Sequence, residues 1–146
     1  MAGRLDPYAG YNFAVELDGI TRAGFRECSG LDSSQNAVTY REGTDKNLAP
    51  RKMPGLNTYS DITLSRGITS DSKLWDWRAK AMKGTVERHN ISITLLDDTG
   101  NPQITWNLFE CWPTKWTGPS MNATADEAAI EQLTLAYERI EVDKWS

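Results

Sequence analysis

Alternation of apolar and polar side chains constrains the fold of this chain more than any other pattern in it. Such alternation is typical of strands with one buried face and one wet face. It predicts strands at Phe13–Leu17, Gly24–Ser29, Ala37–Glu42, Ser60–Ile68, Ile91–Leu95 and Gln103–Trp112, and a last one through Leu133, Leu135, Tyr137 and Ile140. The sequence therefore predicts a mainly β fold in which two β-sheets pack as a sandwich or partial barrel.

The alternation is interrupted once by a helical spacing, over residues 71–84. Leu74, Trp77, Ala81 and Met82 fall on one helical face. Ser70 or Asp71 can cap the helix, and Gly84 is a typical C-terminal stop. One helix flanking the sheets is predicted. The length of 146 residues allows a single domain, residues 1–146, with one core.

A polar stretch, Tyr40–Asn57 (YREGTDKNLAPRKMPGLN), separates two predicted strands and is too long for a hairpin turn. Arg41, Lys46, Arg51 and Lys52 stand against Glu42 and Asp45, and Leu48, Met53 and Leu56 add apolar surface. We interpret the stretch as a long inter-strand loop that docks on another surface. A disordered surface loop is the alternative.

Composition limits the possible partners and compartment. The net charge of −4 and pI near 5.0 argue against a surface that neutralises nucleic-acid phosphates. No apolar run suits a signal peptide or a membrane span, so we expect synthesis in the cytosol and no stable membrane insertion. Cys28 and Cys111 are far apart in sequence and fit buried, reduced thiols better than a disulfide framework or a metal site.

The sequence offers little for catalysis. His89 is the only histidine and no catalytic motif or metal-ligand spacing accompanies it. Asp97 and Asp98 begin a strong hairpin signal that runs to Asn101, and we interpret them as turn residues. Six tryptophans could stack on sugars, but Trp75 and Trp77 lie on the predicted helix and Trp106 lies in a predicted core-facing strand, which favours core packing. We expect no enzymatic activity, no cofactor and no metal.

Polar residues on the alternating strands form a predicted wet face. Its members are Thr39, Arg41, Asp61, Thr63, Ser65, Gln132, Thr134 and Glu138. They are mostly small and of mixed sign. An ordinary solvent face of a sandwich has the same composition, so the residues alone leave both interpretations open.

Several stretches resemble one family: DPYAGYNFAVELDG at Asp6–Gly19, AGFRECSGL at Ala23–Leu31, YREGTDKNLAPRKMPGL at Tyr40–Leu56, ITLSRGITSDSKLWDWR at Ile62–Arg78, RHNISITLLDDTGNPQITWNLFECWPTKWTGPSMNAT at Arg88–Thr124 and EAAIEQLTLAYERIEV at Glu127–Val142. The chain resembles phage tail tube proteins. This family includes the tubes of myophage tails and of extracellular contractile injection systems and, more remotely, the haemolysin-coregulated protein of type VI secretion.

The resemblance implies a tail-tube fold and hexameric rings that stack into a hollow tube. Lumen-lining residues would be Thr39, Asp61, Thr63, Ser65, Gln132, Thr134 and Glu138. The contact between subunits or rings would use Arg41, Glu42, Asp45, Lys46, Arg51, Lys52, Met53 and Leu56. The helix is expected on the side away from the lumen.

The implied partners are other copies of the chain, the contractile sheath protein, baseplate and spike hub proteins, tape-measure and terminator proteins, and protein effector cargo or DNA in the lumen. Assembly would occur in the cytoplasm, and the finished phage-tail-like particle could be released. Three alternatives remain: a DNA-conducting tail tube of a contractile-tailed phage, a monomeric β-sandwich that binds a ligand, and a hydrolase using Asp97, Asp98 or His89.

Overall fold

The computed structural model describes residues 10, 12–17, 20–23, 25–40, 43, 51–124 and 128–145, with the side chains of residues 20–23 and 144 excepted. Strands dominate these residues. They are β1 (Phe13–Leu17), β2 (Ile20–Ala23), β3 (Glu27–Ser29), β4 (Ser34–Tyr40), β5 (Arg51–Thr58), β6 (Ile62–Gly67), β7 (His89–Leu96), β8 (Pro102–Thr117), β9 (Ile130–Ala136) and β10 (Arg139–Trp145). One helix, α1 (Lys73–Met82), lies between β6 and β7.

Most strands join one antiparallel sheet in the order β2-β1-β7-β8-β9-β6-β3, with β10 paired to β8 outside this path. Strand β8 is long enough to serve two layers. Its first part pairs with β7 and β10, and residues 112–117 pair with β9. Between these parts Glu110 has φ 57°, an uncommon value for a residue other than glycine, and the register shifts again between Pro113 and Lys115. The bends turn the sheet into two layers.

The core lies between these two layers. Its fully buried side chains come from both layers and from α1, and include Val15, Leu17, Ile62, Leu64, Leu74, Trp77, Ile91, Ile93, Leu108, Leu133 and Leu135. The predicted sandwich or partial barrel with one flanking helix is confirmed.

Helix α1 is shorter at both ends than the predicted span of 71–84. Ser72 holds the N-cap position without a side-chain capping bond, and Asp71 Oδ1 instead accepts the backbone N–H of Lys73 at 3.1 Å. The predicted stop at Gly84 is confirmed by its φ of +94°, which disfavours residues with a Cβ. Leu74 and Trp77 are buried, and the Trp77 indole N–H donates to the Glu87 carbonyl at 2.8 Å. The predictions that Met82 shares this face and that Trp75 packs in the core are wrong, because Met82 is 55% exposed and Trp75 is 41% exposed.

The prediction of one loop over Tyr40–Asn57 needs correction. Residues 51–57 belong to β5, which pairs with β4 from Ser34 opposite Thr58 to Tyr40 opposite Arg51, so the segment is a two-stranded hairpin. Pro54 lies in β5 next to a register shift between Gln35 and Ala37, which is where a sheet tolerates proline. Of its tip, residues 41–50, the structure describes Gly43 alone.

Other strand predictions also differ from the structure: β2 has no counterpart among the predicted strands, and β4 begins at Ser34 and not at Ala37. Strand β8 continues to Thr117, five residues beyond the predicted end at Trp112, because β9 pairs with its second part. The predicted last strand is two strands, β9 and β10, which separate at Tyr137 and Glu138. There the Glu138 N–H donates to the Phe109 carbonyl at 3.0 Å, and β10 turns back along β8.

Candidate functional site

Four of the predicted polar residues lie together on the outer face of one layer. Cross-strand partners in a sheet point to the same side. Thr63 pairs with Thr134, and Ser65 pairs with Gln132, so β6 and β9 present these side chains to one side while Leu64 and Leu133 enter the core. The period of two in β6 and β9 was sufficient to place these four side chains on one side of the sheet.

Neighbouring strands extend the polar face with residues that the sequence did not single out. On β3, Glu27 pairs with Ser65 and Ser29 with Thr63; on β8, Lys115 pairs with Thr134 and Thr117 with Gln132. The first strand has three residues and the second continues past its predicted end, so neither gave a clear alternating signal. We call the set Glu27, Ser29, Thr63, Ser65, Lys115, Thr117, Gln132 and Thr134 the polar face.

Ser65 is covered by its neighbours on this face. It is 2% exposed, and its hydroxyl lacks a hydrogen-bond partner among the described residues. The longer side chains of Glu27 and Gln132 flank it on the adjacent strands. The polar face therefore has small side chains at its centre and longer, exposed side chains around them.

The other predicted lumen residues lie elsewhere. Thr39 belongs to the separate β4–β5 sheet, and Glu138 lies between β9 and β10, where it pairs with Arg88 at 3.0 Å. Asp61 is exposed and precedes β6 by one residue. The sequence analysis placed Thr39 on one polar face with residues of two other strands, and that assignment was wrong. Alternation shows which side of its own strand a residue occupies, but it does not show which sheet the strand joins.

The second candidate surface is the β4–β5 hairpin. Every described residue of β4 is exposed, and Val38, Met53 and Leu56 are exposed despite being large and apolar. Arg51 and Lys52, which the sequence predicts to dock, are exposed on β5. The predicted contact residues Arg41, Glu42, Asp45 and Lys46 lie outside the described residues.

The base of the hairpin is tied to the core. Ser60 donates to Asp32 twice, from its backbone N–H at 2.8 Å and from its hydroxyl at 2.6 Å. These hydrogen bonds lower the pKa of the Asp32 carboxyl, and the bond from the Ser60 hydroxyl has the larger effect. The Tyr137 hydroxyl donates to the Asp32 carbonyl at 3.3 Å, and its ring packs against Tyr59 at 5.4 Å.

The cysteine, aspartate and histidine side chains that the sequence analysis considered for chemistry make structural contacts. Burial raises the pKa of the Cys28 thiol to about 11 and that of Cys111 to about 12, and both are free cysteines, as predicted. Asp97 Oδ1 accepts the backbone N–H groups of Thr99 and Asn101, which confirms the turn between β7 and β8. The His89 ring packs edge-on against Trp77 at 5.1 Å.

Two observations on the described residues bear on ligand binding. The described residues hold no group of three or more histidine, cysteine or acidic side chains placed to bind a metal. An open cleft of about 490 Å³ beside β9 is lined by Thr117, Gly118, Pro119, Ser120, Asn122, Ala128, Ile130 and Gln132, none of which titrates near neutrality. No helix in the described ranges has the length and apolarity needed to cross a bilayer.

Similarity to solved structures is high over nearly the whole chain. The chain is similar to one in the extended sheath–tube complex of an extracellular contractile injection system (PVC), with 33% identity, a TM-score of 0.84, and coverage of 94% of this chain and 92% of that one. It is also similar to a chain in the tube-terminating cap of the anti-feeding prophage, with 32% identity, a TM-score of 0.88, and coverage of 99% and 95%.

A more distant structure shares the fold alone. Hcp1 from Flavobacterium johnsoniae has 13% identity and a TM-score of 0.58, over 91% of this chain and 95% of that one. No functionally curated protein sequence matches the chain. The family model for T4-like virus tail tube protein gp19 matches residues 9–141. This chain therefore belongs to the tail tube protein family of T4-like viruses.

Proposed function

We propose that the chain is the structural subunit of the rigid inner tube of a contractile injection system. The observation that carries this proposal is family membership over residues 9–141, combined with 33% identity to a chain in a solved sheath–tube complex. The tube would hold or conduct cargo, serve as the template for the sheath, and be driven into a target when the sheath contracts.

Closure of a ring is supported by two unpaired edges of the layer that carries the polar face. In the described strands, β3 pairs on one side only, with β6, and residues 112–117 of β8 pair only with β9. Open edges favour pairing with another chain. Pairing of β3 in one copy with the second part of β8 in the next is heterologous, and such contacts close into a ring when the rotation allows. We propose a hexamer.

The polar face would then line the lumen. Its charged side chains are few and of both signs, Glu27 and Lys115, with Asp61 exposed next to it. A surface with little net charge holds neither nucleic acid nor a charged protein strongly. Small hydroxyl and amide side chains thus suit a channel through which cargo passes without being retained.

The β4–β5 hairpin would fix one ring on the next or one subunit on its neighbour. Its exposed apolar residues Val38, Met53 and Leu56 offer surface for burial, and Arg51 and Lys52 offer charge that suits an acidic partner surface. The hydrogen bonds between Asp32 and Ser60 would give this hairpin, which we also call the arm, a defined direction.

The proposed role is mechanical and makes or breaks no bond. Other partners would be baseplate and spike hub proteins, tape-measure and terminator proteins, and the sheath. Subunits would assemble in the cytoplasm and then form part of a phage-tail-like particle, with protein effectors as cargo. A tail tube that conducts DNA remains the second candidate, because the matching family model describes a virus tail tube protein.

Negative-stain electron microscopy of the purified chain, with light scattering at several concentrations, tests the proposal. We expect rings of sixfold symmetry or hollow tubes built from them, and a mass that rises with concentration. A monomer that persists at high concentration, and also in the presence of preformed tube fragments as nuclei, would contradict the proposal and favour a monomeric ligand-binding module.

A further inference from the structure

The charged residues of the polar face stand at its two edges. Glu27 lies on β3, at one open edge, and Lys115 lies on the second part of β8, at the other. The strands between them, β6 and β9, contribute the uncharged side chains Thr63, Ser65, Gln132 and Thr134. Both charged side chains are exposed, and neither forms an ion pair with any residue whose side chain the structure describes. The two edges of one subunit therefore carry charges of opposite sign.

The directions of the strands allow these two edges to meet in a ring. Strand β8 pairs antiparallel with β9, β9 with β6, and β6 with β3. Because the number of strands in this layer is even, β3 and the second part of β8 run in opposite directions. Rotation about a ring axis that runs roughly along the strands preserves these directions. The β3 strand of one copy and the second part of β8 of the next can then form an antiparallel pair with both polar sides facing the same way.

Pairing within the subunit fixes the relative positions of the two charges along the strands. On the polar side, one row of aligned residues is Glu27, Ser65, Gln132 and Thr117, and the next row is Ser29, Thr63, Thr134 and Lys115. Straight continuation of the rows across the contact would place Glu27 opposite Thr117 of the next copy. A closed barrel needs a stagger between its strands. The stagger must come in steps of two residues, because a shift by one turns the polar side towards the core.

From these observations we infer that Glu27 of one copy forms an ion pair with Lys115 of the next copy, and that this pair sets the register of the contact between subunits. The inference rests on the proposed function. One stagger of two residues places Glu27 directly opposite Lys115, with Cβ atoms about 5 Å apart as in any such pair of an antiparallel sheet. A stagger in the other direction would separate the two charges by four residues along the strand, about 13 Å, which is too far for an ion pair.

Repetition around the ring makes the register selective although one exposed ion pair contributes little. Every contact between copies presents the same two edges, so a misaligned register leaves all of its Glu27 and Lys115 side chains without a partner of opposite charge. Charge complementarity of this kind gives specificity more than affinity. The pairing also cancels the charges of the polar face, which suits the proposed passage of cargo without retention.

Cysteine cross-linking tests the register directly. Directly opposite residues have Cα atoms about 4.5 to 5.5 Å apart, within the range for a disulfide. In the double variant Glu27→Cys, Lys115→Cys, mild oxidation is expected to give a ladder of covalent oligomers up to the hexamer on denaturing gels without reductant. The matched double variant Glu27→Cys, Thr117→Cys is expected to give about tenfold less cross-linked product. The single variants measure any cross-linking through the native cysteines, Cys28 and Cys111.

Charge reversal tests the ion pair itself. Glu27→Lys and Lys115→Glu should each raise the critical concentration for assembly by about tenfold in light scattering, because like charges then face each other. The combined variant Glu27→Lys, Lys115→Glu restores opposite charges and is expected to assemble near the wild-type concentration. Asp61→Lys is the matched control, because it makes the same change of charge at an exposed residue that precedes β6 and does not lie on an edge strand. It is expected to assemble like the wild type.

Three results overturn the inference: rings without a covalent ladder in Glu27→Cys, Lys115→Cys; equal ladders in the two double cysteine variants; or no recovery of assembly in the combined charge variant. Electron microscopy of the same preparations separates this inference from the proposed function. If the wild-type chain forms rings and any of these results is obtained, the register fails while the proposed function stands. If the wild-type chain forms no rings even with preformed tube fragments as nuclei, both fail.

Discussion

Asp32 and Ser60 hold together the two ends of the β4–β5 hairpin, although they lie 28 positions apart in sequence. Both oxygens of the Asp32 carboxylate accept hydrogen bonds from Ser60, one from the backbone and one from the hydroxyl. Next to this pair, Gly30 has φ +101°, and a Cβ there would lie 2.1 Å from the Asp61 carbonyl oxygen. The Asp32–Ser60 hydrogen bonds and the glycine-specific backbone of Gly30 therefore lie together where the exposed arm leaves the core.

Removing the carboxylate is expected to loosen the arm. In Asp32→Ala, both Ser60 donors lose their protein partner, so amide hydrogen exchange in β4 and β5 should accelerate while that in β6 and β9 stays unchanged. Asp61→Ala is the matched control, because Asp61 is also exposed and is adjacent to Ser60. Equal protection of the hairpin in Asp32→Ala and in the wild type would show that the pair does not hold the arm.

The same pair predicts a dependence on pH. Hydrogen bonds from Ser60 lower the pKa of Asp32 below its ordinary value of 3.8. Because the folded-state pKa is depressed, the stabilisation is fully present above pH 3.8 and is lost as the pH falls through the lower folded-state pKa. Hairpin protection factors should therefore fall more between pH 5 and about pH 2 in the wild type than in Asp32→Ala. Identical acid profiles would contradict the prediction.

A buried ion pair supplies a test of the core. Arg66 donates to Glu131 at 2.7 Å, both side chains are 7% exposed, and Arg66 also donates to the Asp71 carbonyl at 3.0 Å before α1. Glu131→Ala leaves the buried guanidinium without its main partner and should lower the free energy of unfolding by about 3 to 5 kcal/mol in urea titrations. The double variant Arg66→Met, Glu131→Leu removes both charges and should lose much less. A loss in the double variant as large as in Glu131→Ala would mean that packing, and not unpaired charge, dominates.

Sequence reasoning located the polar face because β6 and β9 have one side in the core. Burial of Leu64 and Leu133 forces alternation, so the side of Thr63 and Gln132 could be predicted from the sequence. No such force acts on β4 and β5, whose residues are almost all exposed. Proline and glycine in Met53-Pro54-Gly55 are typical of loops, and pairing with β4 overrides that preference.

Strand β10 was missed for a different reason. Tyr137 continues the alternation of β9 because it is buried, although it lies outside the strand. The chain reverses at Glu138, and Ile140 then packs on the core from a different strand that pairs with β8. Periodicity records burial, and it cannot distinguish one long strand from two short ones that contact the same core.

The assigned faces of β6 can be tested by a pair of adjacent substitutions. Leu64 is fully buried opposite Leu133, so Leu64→Ala should lower the free energy of unfolding by about 2 to 5 kcal/mol through lost burial and a cavity. Thr63→Val keeps the shape and the β-branched side chain on the polar face and should stay within about 0.5 kcal/mol of the wild type. The reverse order in urea titrations would mean that the two faces of β6 are exchanged.

The hairpin should affect assembly without affecting the fold of the subunit. Leu56 is 78% exposed, so Leu56→Ser removes little buried apolar area from the monomer, and its free energy of unfolding should stay within about 0.5 kcal/mol of the wild-type value. If the arm docks on another copy, the same change removes a buried contact and raises the critical concentration for assembly, measured by light scattering, by about tenfold. Met121→Ser is the matched control, because Met121 is 85% exposed and lies in the loop after β8 and not in the β4–β5 hairpin. Assembly at the wild-type concentration in Leu56→Ser, or equal impairment in Met121→Ser, would show that the arm does not form the contact. A selective effect of Leu56→Ser would instead identify the β4–β5 hairpin as the element that joins copies, because the polar face and the core are unchanged in that variant.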